Sequence, residues 1–282
     1  MALFAAMMTS DPDPTDYLRQ VGEADEDPLD IATAALMLAA LDHAGRPLAP
    51  YRDHLAEIAS AAGAEAGLAP TIEDGAQALA GLMAGRFGYD GDRLAYDDPL
   101  NADFIAVIDR KRGLPVALGI LYLHAARAAG FEAAGLNTPG HFLLRIAMRS
   151  GDALIDPFNG GAAFEREFLG APPAMRGSAP DGICPAEPVS DIDVLLRLEN
   201  NLKLRALQVG DTLRAVEIAK RMVLIAPRRA ESWIDLARLN EAAGALGAAR
   251  KAFEACLSLA PPGEALHNES TLSLHALKRR LN

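Results

Sequence analysis

The chain has 282 residues, of which half are apolar, 23% are charged and only 5% are aromatic, and its net charge is −11 at pH 7. Its length and composition predict about two globular, Ala-rich and largely helical domains, and they exclude a fully disordered chain. Because 38 acidic residues stand against 27 basic ones, a protein that grips the phosphate backbone of nucleic acid is not expected.

Three further classes of protein find no support in the sequence. No apolar run approaches the roughly 18 residues that a membrane helix needs, and the apolar N-terminal patch lacks a basic region before it. Cys184 and Cys256 are too far apart to suggest a disulfide framework, and the six histidines show no metal-binding spacing. We therefore expect a cytoplasmic protein with no metal and no cofactor.

In chain order, residues 1–27 are acidic and rich in proline, which predicts a flexible lead-in with at most one helical turn. Amphipathic helices are expected at about 29–43, 49–63 and 71–85, and a short helix at about 101–110. The segment 115–129 is apolar on nearly every face and should cross the middle of a domain.

Three short strands are predicted after this central helix, in FEAAGLN, HFLLRIAM and DALIDPF. Residues 28–169 are thus expected to form one α+β domain. The Gly- and Pro-rich stretch 170–189 has the composition of a linker.

Residues 190–282 contain a repeat of 34 residues, the period of a tetratricopeptide helix pair. The repeat relates Ala215 to Ala249 and Pro227 to Pro261. In the second copy Trp233, Leu236, Ala249, Phe253 and Pro261 follow the consensus, whereas the first copy is degenerate. Two helix pairs and a capping helix over 264–281 are therefore expected, with Trp233 and Phe253 in their shared core.

The segments RKRGLP, PGHF and DPFNGG, all within residues 86–161, resemble the transglutaminase-like domain of the bacterial SirB-type family. The resemblance implies a helical N-terminal lobe and a papain-like core with a small antiparallel sheet, followed by tetratricopeptide repeats. It also implies that active relatives use a Cys–His–Asp triad. His141 and Asp156 match the last two members, but the nucleophile position falls on Pro115 or Ala117, and neither has a nucleophilic atom.

The contact of Asp156 depends on the register of the hairpin between the second and third strands. A tight turn at Ser150-Gly151 would place Asp156 opposite Arg145, whereas a loop over 147–150 would place it opposite His141. The resemblance favours the second register and implies an Asp156 oxygen within about 3.2 Å of a His141 ring nitrogen. The structural alternative is that both residues only close turns.

Because the thiol is missing, the leading hypothesis is a catalytically inactive transglutaminase-like protein that binds a protein or peptide through its cleft and repeats. One alternative is a cysteine-independent hydrolase or amidase that uses His141 as a general base with Asp156 behind it. Another is a structural subunit whose repeats pack only on its own body.

Overall fold

The computed structural model describes residues 12–24, 28–138, 141–149, 151–163 and 187–281. The chain forms two compact units. The first, which we call the core unit, comprises Met1–Thr15 and Glu26–Leu198, and the second, the repeat unit, comprises Asp16–Asp25 and Glu199–Asn282. The division thus differs from the predicted domains 28–169 and 190–282, because residues 187–198 belong to the core unit.

The helices of the core unit begin close to the predicted positions. They are α2 (Ile31–Ala40), α3 (Ala49–Glu65), α4 (Ile72–Ala80), α5 (Phe104–Arg110) and α6 (Pro115–Ala128). Thr71 caps α4 as its spacing to Asp74 predicts, since its hydroxyl accepts the Asp74 amide at 3.1 Å. A π-helical turn, Gly81–Arg86, continues α4, so the single helix expected over 71–85 changes its winding at residue 81.

The central helix α6 is buried along almost its whole length, as its apolar composition predicts. It packs on a five-stranded antiparallel sheet of order β6-β5-β4-β3-β7. The strands are β3 (Glu132–Thr138), β4 (His141–Met148), β5 (Gly151–Asp156), β6 (Ala162–Ala163) and β7 (Pro188–Val189). The predicted α+β class, with a central helix on a small antiparallel sheet, is thereby confirmed.

Phe142 explains how closely helix and sheet approach. A Cβ atom at Gly119 of α6 would lie 2.3 Å from the Phe142 ring, and one at Gly135 of β3 would lie 2.7 Å from it. The ring therefore fills the space left by two glycines. This packing accounts for the aromatic residue of the PGHF segment.

The hairpin between β4 and β5 has neither of the two predicted registers. Met148 pairs with Gly151 and Arg145 pairs with Leu154, so Asp156 lies opposite neither Arg145 nor His141. Arg145 instead donates from Nε to Asp152 at 3.0 Å. Both predictions were wrong, because paired residue numbers sum to 299, midway between the 301 and the 297 that the two predicted loops give.

Two corrections concern segments predicted to lack structure. Residues Pro14–Glu23 form a ten-residue helix, α1, although at most one turn was expected in the lead-in. The helix is amphipathic, with Leu18 fully buried, and Gly22 lies against the backbone of Leu224 in the repeat unit. Tertiary packing thus outweighs the acidic, Pro-rich composition. Within the predicted linker, Pro188 and Val189 form β7; residues 170–186 lie outside the described residues.

The repeat unit confirms the predicted helix pairs. Its helices are α7 (Asp191–Gln208), α8 (Thr212–Ile225), α9 (Ala230–Ala242), α10 (Leu246–Leu259) and α11 (Ala265–Leu281), of which α7 begins in the core unit. Phe253 is 1% exposed, and Trp233 packs against the same hydrophobic cluster. The Trp233 indole also donates a hydrogen bond to the Pro227 carbonyl at 2.8 Å, which links α9 to the end of the preceding repeat. Across the described ranges, no helix is long and apolar enough to cross a membrane.

Candidate functional site

The start of α6 is the place where a triad nucleophile would stand. Leu114 is the N-cap residue and Pro115 occupies the first turn, where a residue without an amide proton suits the helix. The Leu114 amide donates to the Asn101 carbonyl at 2.8 Å. Ala117 is completely buried, whereas Pro115 is partly exposed. Of the two candidate positions, only Pro115 therefore reaches the surface, and it offers no reactive atom.

Asp156 ends β5 and begins a 3₁₀ turn, Pro157–Asn159. Its Oδ1 accepts the amides of Phe158 at 2.9 Å and Asn159 at 3.3 Å, and its Oδ2 accepts the Asn159 side-chain amide at 2.6 Å. The side chain is buried, with 5% of the residue exposed. Both carboxylate oxygens are thus engaged by the turn that the residue caps, which is the structural role considered as an alternative for Asp156.

His141 is the first residue of β4, and its Cα pairs with that of Thr138 across the β3–β4 hairpin. Its side chain lies outside the described residues, so the predicted contact with Asp156 stays a prediction. Cys184 also lies outside the described residues. Cys256 is a free, fully buried residue of the repeat core, as a small packed residue should be.

A buried hydroxyl close to this turn was not anticipated from the sequence. Tyr122 of α6 is fully buried, and its hydroxyl has no hydrogen-bond partner among the described residues. Burial, with smaller contributions from the Asp90 and Asp156 carboxylates, raises the pKa of the Tyr122 hydroxyl. Gly161, at φ +78°, leaves room for this hydroxyl, because a Cβ there would lie 2.8 Å from its oxygen.

A loop over residues 92–101 follows a short strand, β1 (Asp90–Gly91), and ends in a 3₁₀ turn, Pro99–Asn101. β1 pairs in parallel with β2 (Arg112–Gly113), directly before α6. The Asp92 carboxylate accepts the amides of Leu94 at 3.2 Å and Ala95 at 3.0 Å. It also accepts Arg110 at 3.1 Å. These hydrogen bonds lower the pKa of Asp92, and the one from the Ala95 amide contributes most. Burial of the carboxylate acts in the opposite direction and is outweighed.

The same loop is tied to the Asp156 turn and exposes apolar side chains. Arg93 donates to the Phe158 carbonyl at 2.9 Å and to the Asn159 side chain at 2.8 Å. Large exposed apolar residues are Leu94, Tyr96 and Leu100. The hydrogen bonds of Asp92 and Arg93 hold the loop backbone, and Leu94 and Leu100 are presented to solvent, whereas Tyr96 also contacts the Phe158 ring. Sequence reasoning missed this loop because its exposure depends on the contacts of Asp92.

Within the described residues, none of the remaining predicted candidates forms a catalytic or metal site. The same residues contain no group of three or more His, Cys, Asp or Glu side chains that could hold a metal ion. His124, interpreted as a core histidine, hydrogen-bonds through Nε2 with the Leu55 carbonyl at 2.9 Å.

Comparison with known proteins agrees with this architecture. Residues 49–200 match the transglutaminase-like superfamily model, and residues 202–282 match a tetratricopeptide repeat model. The chain is 32% identical over 155 residues to a UPF0162 protein of Xylella fastidiosa, covering 53% of this chain and 55% of the relative. It is 40% identical over 86 residues to a UPF0162 protein of Vibrio cholerae, covering 30% and 32%.

A shorter match extends to a mammalian protein. Over 71 residues the chain is 35% identical to F-box only protein 21 of Mus musculus, which covers 25% of this chain and 11% of that protein. Even the longest of these matches spans only about half of the relative's length. The family model covers more than half of the chain, and it agrees with the helical lobe, the central helix and the small sheet described above. The chain therefore belongs to the transglutaminase-like superfamily, with tetratricopeptide repeats after its transglutaminase-like domain.

Proposed function

We propose that this protein is a catalytically inactive transglutaminase-like protein that works in the cytoplasm as a scaffold for a protein or peptide partner. The partner binds through the cleft side of the core unit and through the repeats. His141 and Asp156 are, in this proposal, the relic of a triad whose nucleophile position is occupied by Pro115 or Ala117.

The start of α6 carries the proposal, because Pro115 and the fully buried Ala117 offer no nucleophilic atom where a triad thiol would stand. A triad carboxylate must accept the ring N–H of its histidine in order to hold the tautomer and stabilise the imidazolium. Three hydrogen bonds from Phe158 and Asn159 fix the Asp156 carboxylate in its turn, and its Oδ2 can still accept a further bond. A carboxylate kept in this position without a nucleophile at the start of α6 supports the interpretation of a relic site.

The binding part of the proposal is supported by the exposed apolar residues of loop 92–101. Leu94 is 102% exposed relative to its reference value. Rigid loops that present leucine and tyrosine lose little conformational entropy on binding, which favours their use as contact surfaces. The tetratricopeptide repeats add a second surface of a kind that generally binds proteins.

One experiment tests catalytic inactivity in the full chain. Purified protein is incubated with glutamine- and asparagine-containing peptides with and without an amine acceptor, and ammonia release and amide formation are followed. We expect no turnover above a blank and no effect of iodoacetamide. Turnover that is lost in Asp156→Asn or His141→Ala would overturn the proposal and support the cysteine-independent hydrolase.

A second experiment tests binding with a matched surface control. Full-length Leu94→Asp/Leu100→Asp protein is compared with Leu68→Asp, which changes another exposed leucine, 83% exposed, after α3. We expect a partner captured by wild-type protein to bind the Leu68→Asp variant equally and to bind the loop variant at least about tenfold more weakly in titrations with the purified partner. Equal affinity for all three proteins would remove the loop from the proposed surface.

A further inference from the structure

A cluster of three polar side chains lies in the core unit, apart from Asp156 and its turn. The cluster consists of His54 of α3, Tyr89 and Lys111. Their three polar atoms, His54 Nε2, the Tyr89 hydroxyl oxygen and Lys111 Nζ, all lie within hydrogen-bond distance of one another. The distances are 2.8 Å from His54 Nε2 to the Tyr89 hydroxyl, 2.9 Å from His54 Nε2 to Lys111 Nζ, and 3.0 Å from Lys111 Nζ to the Tyr89 hydroxyl. The Lys111 ammonium also lies over the Tyr89 ring, 4.4 Å from its centroid.

The backbone of Lys111 also has an unusual, left-handed conformation. It ends α5 with φ +56° and ψ +28°, a left-handed conformation that normally favours glycine. It is the only non-glycine residue with positive φ in the described ranges. A lysine held where glycine is preferred suggests that its side chain is retained for a reason other than backbone geometry.

The surroundings raise the fraction of the Lys111 amine that is neutral. Tyr89 is fully buried, and the Lys111 side chain is largely enclosed, with part of it still open to solvent. This burial lowers the pKa of the Lys111 amine, although the Asp109 and Glu57 carboxylates oppose the effect. Burial and then the Lys111 charge likewise lower the pKa of His54, so its imidazole is neutral at pH 7.

When the Lys111 ammonium loses a proton, the hydrogen bonds of the cluster can be kept. An ammonium can only donate, and it competes with the Tyr89 hydroxyl proton for the single lone pair of His54 Nε2. The neutral amine has a lone pair of its own, which can accept the Tyr89 proton while Nζ donates to Nε2. Each member of the cluster then keeps a partner.

We propose that Lys111 is a nucleophilic amine that is acylated by small activated acyl donors such as acyl phosphates, with His54 as the proton acceptor. The neutral Nζ releases the hydrogen bond that its lone pair accepts from Tyr89 and attacks the acyl carbon. The N–C bond forms, and the C–O bond to phosphate breaks as phosphate leaves with the electron pair. The excess proton on nitrogen passes to His54 Nε2. The Glu57 carboxylate, 3.9 Å from His54 Nδ1, stabilises the imidazolium that results. The product is a neutral amide, so the modified side chain can no longer take up a proton.

The chain offers its own controls, because it contains only five lysines: Lys111, Lys203, Lys220, Lys251 and Lys278. Lys203 is a buried lysine paired with Asp235 at 2.6 Å, and Lys220 is an exposed lysine paired with Glu217 at 2.7 Å. Folded wild-type protein is incubated with acetyl phosphate at several pH values, and the acetylation of each lysine is measured by peptide mass spectrometry.

We expect Lys111 to be acetylated at least about fivefold faster than Lys220 at pH 7.5, since one pKa unit changes the neutral fraction about tenfold. Its rate should also level off at lower pH than that of Lys220, and Lys203 should be the slowest of the five. A Lys111 rate equal to or below that of the exposed lysines would overturn the proposal.

Two variants test the role of the neighbours. His54→Gln removes the proton acceptor and Tyr89→Phe removes the hydroxyl but keeps the ring, so both should slow acetylation of Lys111 several-fold and leave Lys220 unchanged. Circular dichroism shows whether each variant is folded, and the wild-type comparison of lysines decides the proposal if neither is. An unchanged Lys111 rate in folded His54→Gln would overturn the assigned role of His54.

Discussion

Lys111 illustrates how one residue can hold an unfavourable backbone conformation for the sake of its side chain. At φ +56° any residue with a Cβ is strained, whereas glycine is not. We expect Lys111→Gly to be more stable than Lys111→Ala by about 1 kcal/mol, because both lose the same side-chain contacts and only alanine keeps the strain. Urea denaturation of the two variants measures the difference. Equal stabilities would mean that the left-handed turn relaxes when the side chain is removed.

Phe253 carries much of the packing of the repeat unit. It is 1% exposed and lies in the cluster that also contains Cys256 and Leu277. We expect Phe253→Ala to lower the free energy of unfolding by about 3–5 kcal/mol, from lost burial and the remaining cavity. Leu272→Ala, at a side chain 72% exposed on α11, is the control and should change stability by less than about 0.5 kcal/mol. Similar losses in both variants would argue against Phe253 as the core residue.

His54 makes stability depend on pH in a defined window. Its pKa in the folded protein lies below the ordinary value of 6.5, mainly through burial and also through Lys111, while Glu57 opposes the shift. As pH falls below 6.5, the unfolded chain takes up this proton before the folded chain does, so the free energy of unfolding decreases. The pKa of Asp92 is lowered from 3.8 and that of Glu269 from 4.5, so these two groups act only at lower pH.

The expected result is therefore a loss of stability between pH 6.5 and 5 that is smaller in His54→Gln than in wild-type protein. Denaturation midpoints at closely spaced pH values measure it. A wild-type curve that is flat in this range, or two parallel curves, would contradict the assignment.

Among the elements, periodic patterns were predicted correctly and register was not. The helix pairs around Pro227 and Pro261 and the central helix follow directly from residue spacing. The register of the β4–β5 hairpin instead depends on where β4 ends and β5 begins, and Arg149-Ser150, between Met148 and Gly151, is not a strong turn signal in the sequence. For the same reason the position of Asp156 along the sheet was wrong, although its assignment to the end of a strand was right.

Cap residues and strained residues show why the site was only partly predictable. The sequence marks Asp156 through the motif DPFNGG, but its three hydrogen bonds arise from the fold of the turn. Lys111 is part of the quoted RKRGLP segment, yet its contacts with His54 and Tyr89 join residues 57 and 22 positions away. Contacts between such distant residues leave no local pattern to recognise.

Helix α1 depends on one glycine for its contact with the end of α8, within the repeat unit. A Cβ at Gly22 would lie 2.1 Å from the Leu224 carbonyl oxygen and 3.0 Å from Pro227. We expect Gly22→Ala to release α1, with faster hydrogen exchange at residues 14–23 and a loss of about 1–3 kcal/mol. Gly247→Ala is the control, since nothing lies within 4 Å of its Cβ in α10, and it should be neutral or stabilising by about 0.5 kcal/mol. Unchanged exchange in Gly22→Ala would show that the backbone can move aside.

At the scale of the whole molecule, residues from late in the chain complete the packing of the core unit. The buried Asp191 carboxylate accepts two bonds from Arg127 of α6, at 2.7 and 2.8 Å, and one from the Leu29 amide at 2.9 Å. We expect Asp191→Asn to cost about 3 kcal/mol, because it leaves the Arg127 charge without its partner. Arg127→Met/Asp191→Leu should cost less than Asp191→Asn, and thermal unfolding compares the two. A double variant that is the less stable would contradict this account.

The two-residue strand β7 has a consequence for the order in which the protein is made. Val189 pairs with Gly135, so the edge of β3 stays open on the ribosome until more than fifty further residues have been translated and have left the exit tunnel. During that interval β3 presents unpaired backbone groups to other nascent chains. A rapid translation of residues 136–191 would shorten this exposure, and a ribosomal pause within them would prolong it. The codons for residues 136–191 thereby acquire influence over the yield of the core unit.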